Sequence, residues 1–325
     1  MFKRYSSIEQ LSSFNLSKIQ TSELTNVEWS LSEKLDGANF SFIVEDIENP
    51  VVEIGKRSSK CDGKFFNSQL ILDQLENNIK ALANLLSEFN DKFQDFSTIG
   101  FQLYGEIYGD GVQKRINYGD SKYFHCFDLF VTSTSEAETR FVNVTELEFL
   151  ANVCNIPMVK TKNFINFSNV MEFIKENNVD EVHSAHSKAD SPQNIEGYVI
   201  KPVKTERLGQ KRAIFKIKSQ KFKEKEHKGS KVKEIKEVPK HILALIAKID
   251  DYSNENRFLS AMSKIGEFEM KLFGEFLKEI SVDIRIDFLE DHGEEYNSLE
   301  KSEQKLINKS ISSKVSQLIK EQIKI

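Results

Sequence analysis

The chain has 325 residues, of which 39% are hydrophobic and 29% are charged, enough to bury a substantial core and to favour two domains. Its 14 Gly and 5 Pro residues exclude collagen-like and Pro/Gly-rich low-complexity proteins, and 25 Phe argue against wholesale disorder. No apolar run approaches the ~20 residues of a membrane helix, and no signal peptide pattern is evident. Three scattered cysteines predict no disulfide framework. We therefore expect a cytoplasmic protein with no membrane partner.

The formal net charge of −5 hides an uneven distribution. Residues 201–240 contain 15 Lys or Arg and 5 Glu, so this window is strongly basic on an otherwise acidic chain. Such a strip is typical of a phosphate-binding groove, although by itself a solvated lysine-rich face is the simpler explanation. The basic side chains around its short apolar alternation are Lys211, Arg212, Lys216, Lys218, Lys221, Lys223 and Lys225.

In chain order, alternating and helical patterns predict a mixture of strands and helices. Strands are expected over 27–57 (in three pieces), 101–109, 122–131, 196–202 and 212–218. Helices are expected over 67–90, 145–153 and 168–177. The polar stretch 180–194 predicts an exposed loop, and its His183 and His186 lack the further ligands that a zinc site needs.

The character of the chain changes after about residue 228. A charged linker is expected there, followed by helical periodicity over 239–281 and 298–323. We predict an α+β fold: a domain of mainly antiparallel sheets with flanking helices over residues 1–232, then an all-helical domain over 233–325.

One short segment carries a candidate nucleophile. SEKLDGANFSF places Lys34 at a strand end, before a turn formed by Asp36 and Gly37. A lysine beside a nucleotide pocket acts as a nucleophile when its amine is deprotonated, and nearby cations such as Lys216 and Lys218 favour that form. Taken alone, the segment is a weak signal, and an ordinary surface turn is the favoured explanation.

Further elements add two carboxylates, several cations and an aromatic platform, which nucleotidyl transfer needs because charge and positioning stabilise its transition state. KRSSK offers Arg57 on a strand, and FKIK puts Lys216 and Lys218 on one strand face. The remaining candidates are Glu106 in YGEIYG, Phe127 in FHCFDLF, and Glu196 and Lys201 at the two ends of EGYVIKP.

This set resembles the covalent nucleotidyltransferase superfamily of ATP-dependent RNA and DNA ligases and mRNA capping enzymes. The collinear motifs KLDGAN, KR, YGEIYG, FHCFDLF, EGYVIKP and FKIK resemble those of that superfamily. The RNA ligase 2 group is the most similar, on three features: the Asn39-Phe40 pair, GDGVQKRINYGD after Glu106, and FKIKSQKFKEKE. The resemblance covers about residues 30–226.

The resemblance implies a role for each residue. Lys34 would take AMP from ATP, Glu196 would engage a catalytic metal, and Lys216 and Lys218 would hold the α-phosphate. Residues implied to bind the nucleotide are Glu33 at the adenine, Leu35 beside the nucleophile, Asn39 near the α-phosphate, Arg57 at the ribose and the incoming 5′-phosphate, Glu106 at the ribose, Phe127 and Val199 around the base, and Lys201 as a phosphate or network residue.

The resemblance also implies ATP as AMP donor, Mg²⁺ or Mn²⁺, and three steps that end in joining a 3′-OH to a 5′-phosphate. RNA ends are the implied partner, in duplex or nicked RNA or in an RNA/DNA hybrid, with no obligate protein partner. The chain departs from the group at Asp36-Gly37-Ala38, where His-Gly-Thr is usual; Asp-Gly is common in DNA ligases and capping enzymes. A DNA ligase, a guanylyltransferase and a non-catalytic nucleic-acid-binding protein on this fold remain alternatives.

The predicted helical tail bears on these alternatives. DNA ligases and capping enzymes carry an OB-fold after the last motif, which would be evident as short strands. Residues 237–325 instead show helical patterns, and an all-helical C-terminal domain is characteristic of RNA ligase 2, where it helps engage duplex ends. A bundle for oligomerisation or docking is the alternative.

Overall fold

The computed structural model describes residues 2–92, 97–222, 238–266 and 268–323. These residues divide into two compact units. The sheet unit comprises residues 2–10 and 24–222, and the helical unit comprises residues 11–23 with the described residues from 238 onward. The predicted boundary at 232/233 and the expected charged linker fall mostly within residues 223–237, outside the described part of the chain. The prediction from the sequence places residues 11–23 in the first domain, whereas in the structure they belong to the helical unit.

The strands of the described residues are, in chain order, β1 (Glu9–Gln10), β2 (Trp29–Lys34), β3 (Ala38–Val44), β4 (Glu53–Lys56), β5 (Ser59–Cys61), β6 (Thr98–Gly109), β7 (Lys122–Ser133), β8 (Arg140–Phe141), β9 (Thr161–Phe164), β10 (Gly197–Pro202), β11 (Arg207–Leu208), β12 (Lys211–Arg212) and β13 (Phe215–Lys218). The helices are α1 (Ser13–Gln20), α2 (Gln69–Lys92), α3 (Val144–Val153), α4 (Phe167–Glu176), α5 (Lys240–Tyr252), α6 (Glu255–Ile265), α7 (Phe273–Asn297) and α8 (Lys301–Gln322).

Two sheets form the body of the sheet unit. One has the order β5-β4-β3-β6-β7-β8 and is antiparallel throughout its described ladders. Its apolar face packs against α2 and α3, where Leu and Ile recur at helical spacing; Ile79, Leu82 and Leu86 of α2 are buried in this core. The other has the order β1-β13-β10-β2-β9, antiparallel except for the parallel pair of β1 and β13.

The segment Leu35–Gly37 crosses from one sheet to the other. It leaves β2 of the five-stranded sheet after Lys34 and enters β3 of the six-stranded sheet at Ala38. A Cβ atom at Gly37 would lie 2.3 Å from the main-chain oxygen of Ile107 on β6. Glycine is therefore required at this crossing, because any side chain would push the turn away from β6.

The helical unit is built from α1 and α5–α8 around one apolar core. Ile242 of α5, Phe276 and Ile284 of α7, and Ile307 of α8 are fully buried there. Phe14 of α1 packs against the same core. The helical prediction for the tail is thus confirmed over its described residues, and no helix among them has the length and apolarity to cross a bilayer.

The predicted α+β class with mainly antiparallel sheets is confirmed, and each predicted strand and helix of the sheet unit is present. One local prediction was wrong. Arg57 does not lie on a strand, because β4 ends at Lys56 and pairs across to Ser59, which makes Arg57 and Ser58 the two-residue turn of a hairpin.

Candidate active site

The register of the five-stranded sheet places the candidate cations side by side. Gly197, the first residue of β10, lies opposite Lys34 on β2 and opposite Lys218 on β13. Val199 is two residues further along and lies opposite Lys216. Since directly opposed residues share a face of the sheet and side chains alternate with period two, these residues face one side.

A cleft of about 920 Å³, its open mouth included, lies in the sheet unit beside this face. The candidates that line it are Glu33, Lys34, Leu35, Asn39, Arg57, Glu106, Phe127, Val199, Lys201 and Lys216. Glu196 and Lys218 are not among the lining residues, but Glu196 forms ion pairs with Lys34 of the cleft and with Lys218. All twelve candidate residues are thus brought together, although up to 184 residues separate them in the chain.

Lys34 and Glu196 form the centre of the cluster. Lys34 Nζ donates to Glu196 Oε2 at 2.7 Å, and Lys218 Nζ lies 3.2 Å from the other carboxylate oxygen. The Glu196 side chain is 3% exposed, whereas that of Lys34 is 20% exposed and lines the cleft. The buried Glu196 carboxylate therefore holds the Lys34 amine at a defined position.

The six-stranded sheet supplies the opposite side of the cleft. Asn39 on β3 pairs directly with Glu106 on β6, and Arg57 reaches the cleft from its hairpin turn. Burial raises the pKa of Glu106 to about 7; Lys34 and Arg57 lower it, while Glu196 and Asp36 raise it. This carboxyl group therefore changes charge close to neutral pH.

Asn39 carries an unsatisfied hydrogen-bond acceptor. Its Oδ1 atom is buried and has no hydrogen-bond partner among the described residues. A buried acceptor without a donor is unfavourable by about 1–3 kcal/mol, and such groups usually pair with a ligand or water. The cleft therefore fits a ligand that brings a donor, such as a ribose hydroxyl or a metal-bound water molecule.

The described residues contain no group of three or more His, Cys, Asp or Glu side chains able to hold a metal ion. Mg²⁺ keeps several water ligands and usually takes one or two protein carboxylates together with substrate phosphates. The donor set of the described residues therefore fits a metal ion that arrives together with substrate phosphates.

Comparison with known families follows the same division of the chain. Residues 27–218 match the profile of the RNA ligase family, more than half of the chain, and these residues carry all twelve candidates. This chain belongs to the RNA ligase family. Residues 236–317, within the predicted helical domain, match the T4 RNA ligase 2 C-terminal family.

Solved structures similar to this RNA ligase family member include chains of an RNA ligase from Naegleria gruberi. A mutant with ATP and Mn is 15% identical, with 67% of this chain and 56% of that chain covered and a TM-score of 0.47. The form with PPi is 14% identical, with 68% and 57% covered and a TM-score of 0.46. A mutant with AMP and Mn is 15% identical, with 68% and 57% covered and a TM-score of 0.48. This chain spans little more than half the length of those solved chains.

The structure of this RNA ligase family member adds a buried network that the motifs did not indicate. Asp128 accepts from Tyr5 Oη at 2.5 Å, from Lys201 Nζ at 2.7 Å and from both Arg212 Nη atoms at 2.9 and 3.0 Å. Burial would raise the pKa of Asp128, but Arg212 and Lys201 outweigh it and hold that pKa well below its usual range. Lys201, which also donates to the Phe127 carbonyl at 2.7 Å, is thus a network residue that lines the cleft.

Tyr5 brings the N-terminal segment of the RNA ligase family fold into the cleft wall. Its ring meets that of Phe127 edge-on, with centroids 5.4 Å apart, and its N–H donates to the Arg57 carbonyl at 3.1 Å. Tyr5 also lines the cleft. Residue 5 lies 123 positions from Asp128, so no local pattern could have indicated this contact.

The predicted exposed loop holds a second unanticipated partner. Ser184 is buried, and its hydroxyl donates to Glu33 Oε1 at 2.5 Å, while the Ala185 N–H donates to Oε2 at 3.3 Å. Burial raises the pKa of Glu33 above its ordinary value, and these two hydrogen bonds offset part of that rise. His186 of the same loop contacts the Tyr108 hydroxyl at 3.3 Å. The loop therefore orients a candidate base-recognition residue of this RNA ligase family member.

The basic strip does not form one continuous groove in its described part. Lys216 lines the cleft and Lys218 pairs with Glu196, but Arg212 is taken up by Asp128. Lys211 pairs with Glu9 outside the cleft. Lys223 and Lys225 lie outside the described residues. Some basic side chains of this strip therefore belong to the cleft, and others form ion pairs that stabilise the fold.

Proposed function

We propose that this chain is an ATP-dependent RNA ligase that joins 3′-OH and 5′-phosphate ends through a lysyl-AMP intermediate, at nicks in duplex RNA. One observation carries the proposal: Lys34 Nζ is held 2.7 Å from the buried Glu196 in a cleft that gathers the residues expected to bind ATP. Membership of the RNA ligase family supports it.

Lys34 is the nucleophile of the first step. Its ammonium loses one proton to water while the Glu196 carboxylate, 2.7 Å away, holds the nitrogen in place, and the resulting lone pair attacks the α-phosphorus of ATP. The N–P bond forms, the bond from phosphorus to the bridging oxygen of the β-phosphate breaks, and pyrophosphate leaves with that electron pair. The second amine proton goes to water. The product is AMP on Lys34 through a phosphoramide bond.

The nucleotide is held by the remaining cleft residues. Lys216 and Lys218 stabilise negative charge on the α-phosphate, and Asn39 lies beside it. Phe127 and Val199 enclose the base, as their places in the cleft wall allow. Glu33, which Ser184 orients, recognises the base, and Leu35 lies next to Lys34 in the cleft wall. Arg57 and Glu106 contact the ribose. Bound Mg²⁺ or Mn²⁺ would neutralise phosphate charge, with Glu196 as a ligand.

The later steps act on RNA. AMP passes from Lys34 to the 5′-phosphate of one end, giving an AMP-capped end, and the 3′-OH of the other end displaces AMP. Arg57 contacts the incoming 5′-phosphate. We assign the helical domain, residues 233–325, to engagement of duplex ends, a role supported by the match of residues 236–317 to the T4 RNA ligase 2 C-terminal family.

The proposal is tested by incubating purified protein with α-³²P-ATP and Mg²⁺, after bound AMP is removed with pyrophosphate. We expect an acid-labile protein label with ATP and none with Lys34→Ala. Lys211→Ala is the matched control, because Lys211 is an exposed lysine paired with Glu9 outside the cleft. Label from GTP in place of ATP would indicate a guanylyltransferase, and no label with wild type would indicate a non-catalytic binding protein.

The polynucleotide is tested by offering nicked duplex RNA, nicked RNA/DNA hybrid, nicked DNA and single-stranded RNA with ATP. We expect the fastest joining at the RNA nick. Preferential sealing of nicked DNA would contradict the RNA assignment while leaving the lysyl-AMP step intact. Glu196→Gln and Lys216→Ala should each abolish adenylylation, and normal labelling in either would contradict its role.

A further inference from the structure

The crossing between the two sheets carries an ion pair, formed by Asp36 and Arg115. The Asp36 side chain is 1% exposed, while that of its partner Arg115 is 43% exposed. Arg115 Nε donates to Asp36 Oδ2 at 3.1 Å, and Nη2 donates to the other carboxylate oxygen. Neither residue is among the described residues that line the cleft. The carboxylate is therefore occupied by protein donors and is not presented to a substrate.

Three segments meet at this pair. The Asp36 N–H donates to Tyr118 Oη at 3.0 Å, so the loop after β6 holds both the main chain and the side chain of residue 36. The Arg115 guanidinium lies 4.9 Å from the ring centroid of Phe222, which follows β13. Leu35, Tyr118 and Phe222 pack in one buried cluster. The residues next to Lys34 are thus clamped by the loop after Glu106 and by the segment after Lys218.

The pair is also electrostatically linked to the reacting lysine. Burial raises the pKa of Asp36 above its ordinary value, and the Arg115 hydrogen bonds and charge offset part of that rise. Smaller effects come from Glu196, which raises that pKa, and Lys34, which lowers it. Without Arg115, a buried carboxylate beside Lys34 would lose its main compensating charge.

We infer that the Asp36–Arg115 pair positions Lys34 for attack on ATP and takes no part in the choice between RNA and DNA ends. The inference rests on the proposed function, since it concerns adenylylation by Lys34. It explains why this chain has Asp36 where the RNA ligase 2 group usually has His. The aspartate pairs with Arg115 of the same chain, so the difference affects the conformation of the turn after Lys34.

The test compares two reactions of purified Arg115→Met and Asp36→Asn with those of wild type. The first is the rate of labelling by α-³²P-ATP at saturating ATP; the second is sealing of a nicked RNA that already carries AMP on its 5′-phosphate, without ATP. The second reaction does not need attack by Lys34. We expect labelling to fall roughly 10- to 100-fold, as for other sub-ångström to 1 Å misplacements, and sealing to stay within about threefold.

Arg115→Lys keeps the buried carboxylate paired and should give an intermediate rate, so it also serves as the test if the Met variant does not fold. Arg140→Met, which removes a partly exposed arginine paired with Glu146, is the matched control and should leave labelling unchanged. A parallel fall in both reactions, unchanged labelling, or a shift of more than about threefold in the ratio of RNA to DNA sealing would overturn the inference. Failure of wild type to label would instead overturn the proposed function.

Discussion

Glu106 offers a quantitative test of the charge distribution in the cleft. Burial raises its pKa from an ordinary value near 4.5 to about 7. In the unfolded chain the group ionises first as pH rises, so the folded state loses stability between about pH 4.5 and 7. Each unit of pKa difference between the folded and the unfolded chain corresponds to about 1.36 kcal/mol of stability. Because the Glu106 side chain is partly exposed, we discount the product, and the expected loss is about 2–3 kcal/mol. Glu106→Gln removes this titration.

The assay is the melting temperature of the AMP-free protein from pH 5 to 8, for wild type and for Glu106→Gln. For a unit of this size, about 2–3 kcal/mol corresponds to roughly 4–12 °C. The variant should therefore gain that much over wild type as pH rises, although it loses adenylylation activity. Glu136→Gln, an exposed residue between β7 and β8, is the control. A difference between Glu106→Gln and wild type that stays constant with pH would refute the reasoning.

Three further substitutions test the supports of the cleft. Asp128→Asn leaves two cations facing a neutral amide and should lower stability by about 3–5 kcal/mol, measured by urea unfolding. Ser184→Ala removes the stronger of two hydrogen bonds to Glu33 and should raise the KM for ATP roughly 5- to 30-fold, measured by adenylylation at varied ATP. Gly37→Ala places a Cβ 2.3 Å from a main-chain oxygen and should abolish labelling, whereas Gly274→Ala, in the open on α7, should not lower stability or labelling.

Each of these outcomes can fail in a distinct way. Unfolding of Asp128→Asn at the wild-type urea concentration would show that its cations find other partners. A Ser184→Ala variant that loses turnover at unchanged KM would place Ser184 in catalysis and not in nucleotide binding. Normal labelling by Gly37→Ala would show that the crossing segment shifts without moving Lys34.

Local patterns in the sequence were sufficient for the elements that carry the cleft. Alternation in EGYVIKP and FKIK predicted strands β10 and β13, and period two placed Lys216 and Lys218 on one face. The Lys-x-Asp-Gly spacing placed Lys34 at a strand end before a turn. The helical tail was evident from its periodicity and from the lack of strand patterns. Each of these features depends on residues that are close together in the sequence, so the local sequence determines it directly.

The prediction for Arg57 shows where local patterns end. The strand pattern of VVEIGKR predicts a strand that includes Arg57. In the structure β4 ends at Lys56, which pairs with Ser59 of β5, so the hairpin turn begins at Arg57. Nothing in the pattern of one strand shows where its partner begins. The residue reaches the cleft from the turn in spite of this.

The supports of the cleft were decided by tertiary structure. Tyr5 and Asp128 are 123 residues apart, Glu33 and Ser184 are 151 apart, and Asp36 and Arg115 are 79 apart. Such contacts depend on how two sheets and their loops come together, and a polar residue in a loop has the same local pattern whether or not it is buried. The sequence by itself determined the strands and the position of the candidate lysine within its motif. Only the packing of distant segments decided which buried partners hold each charged group in place.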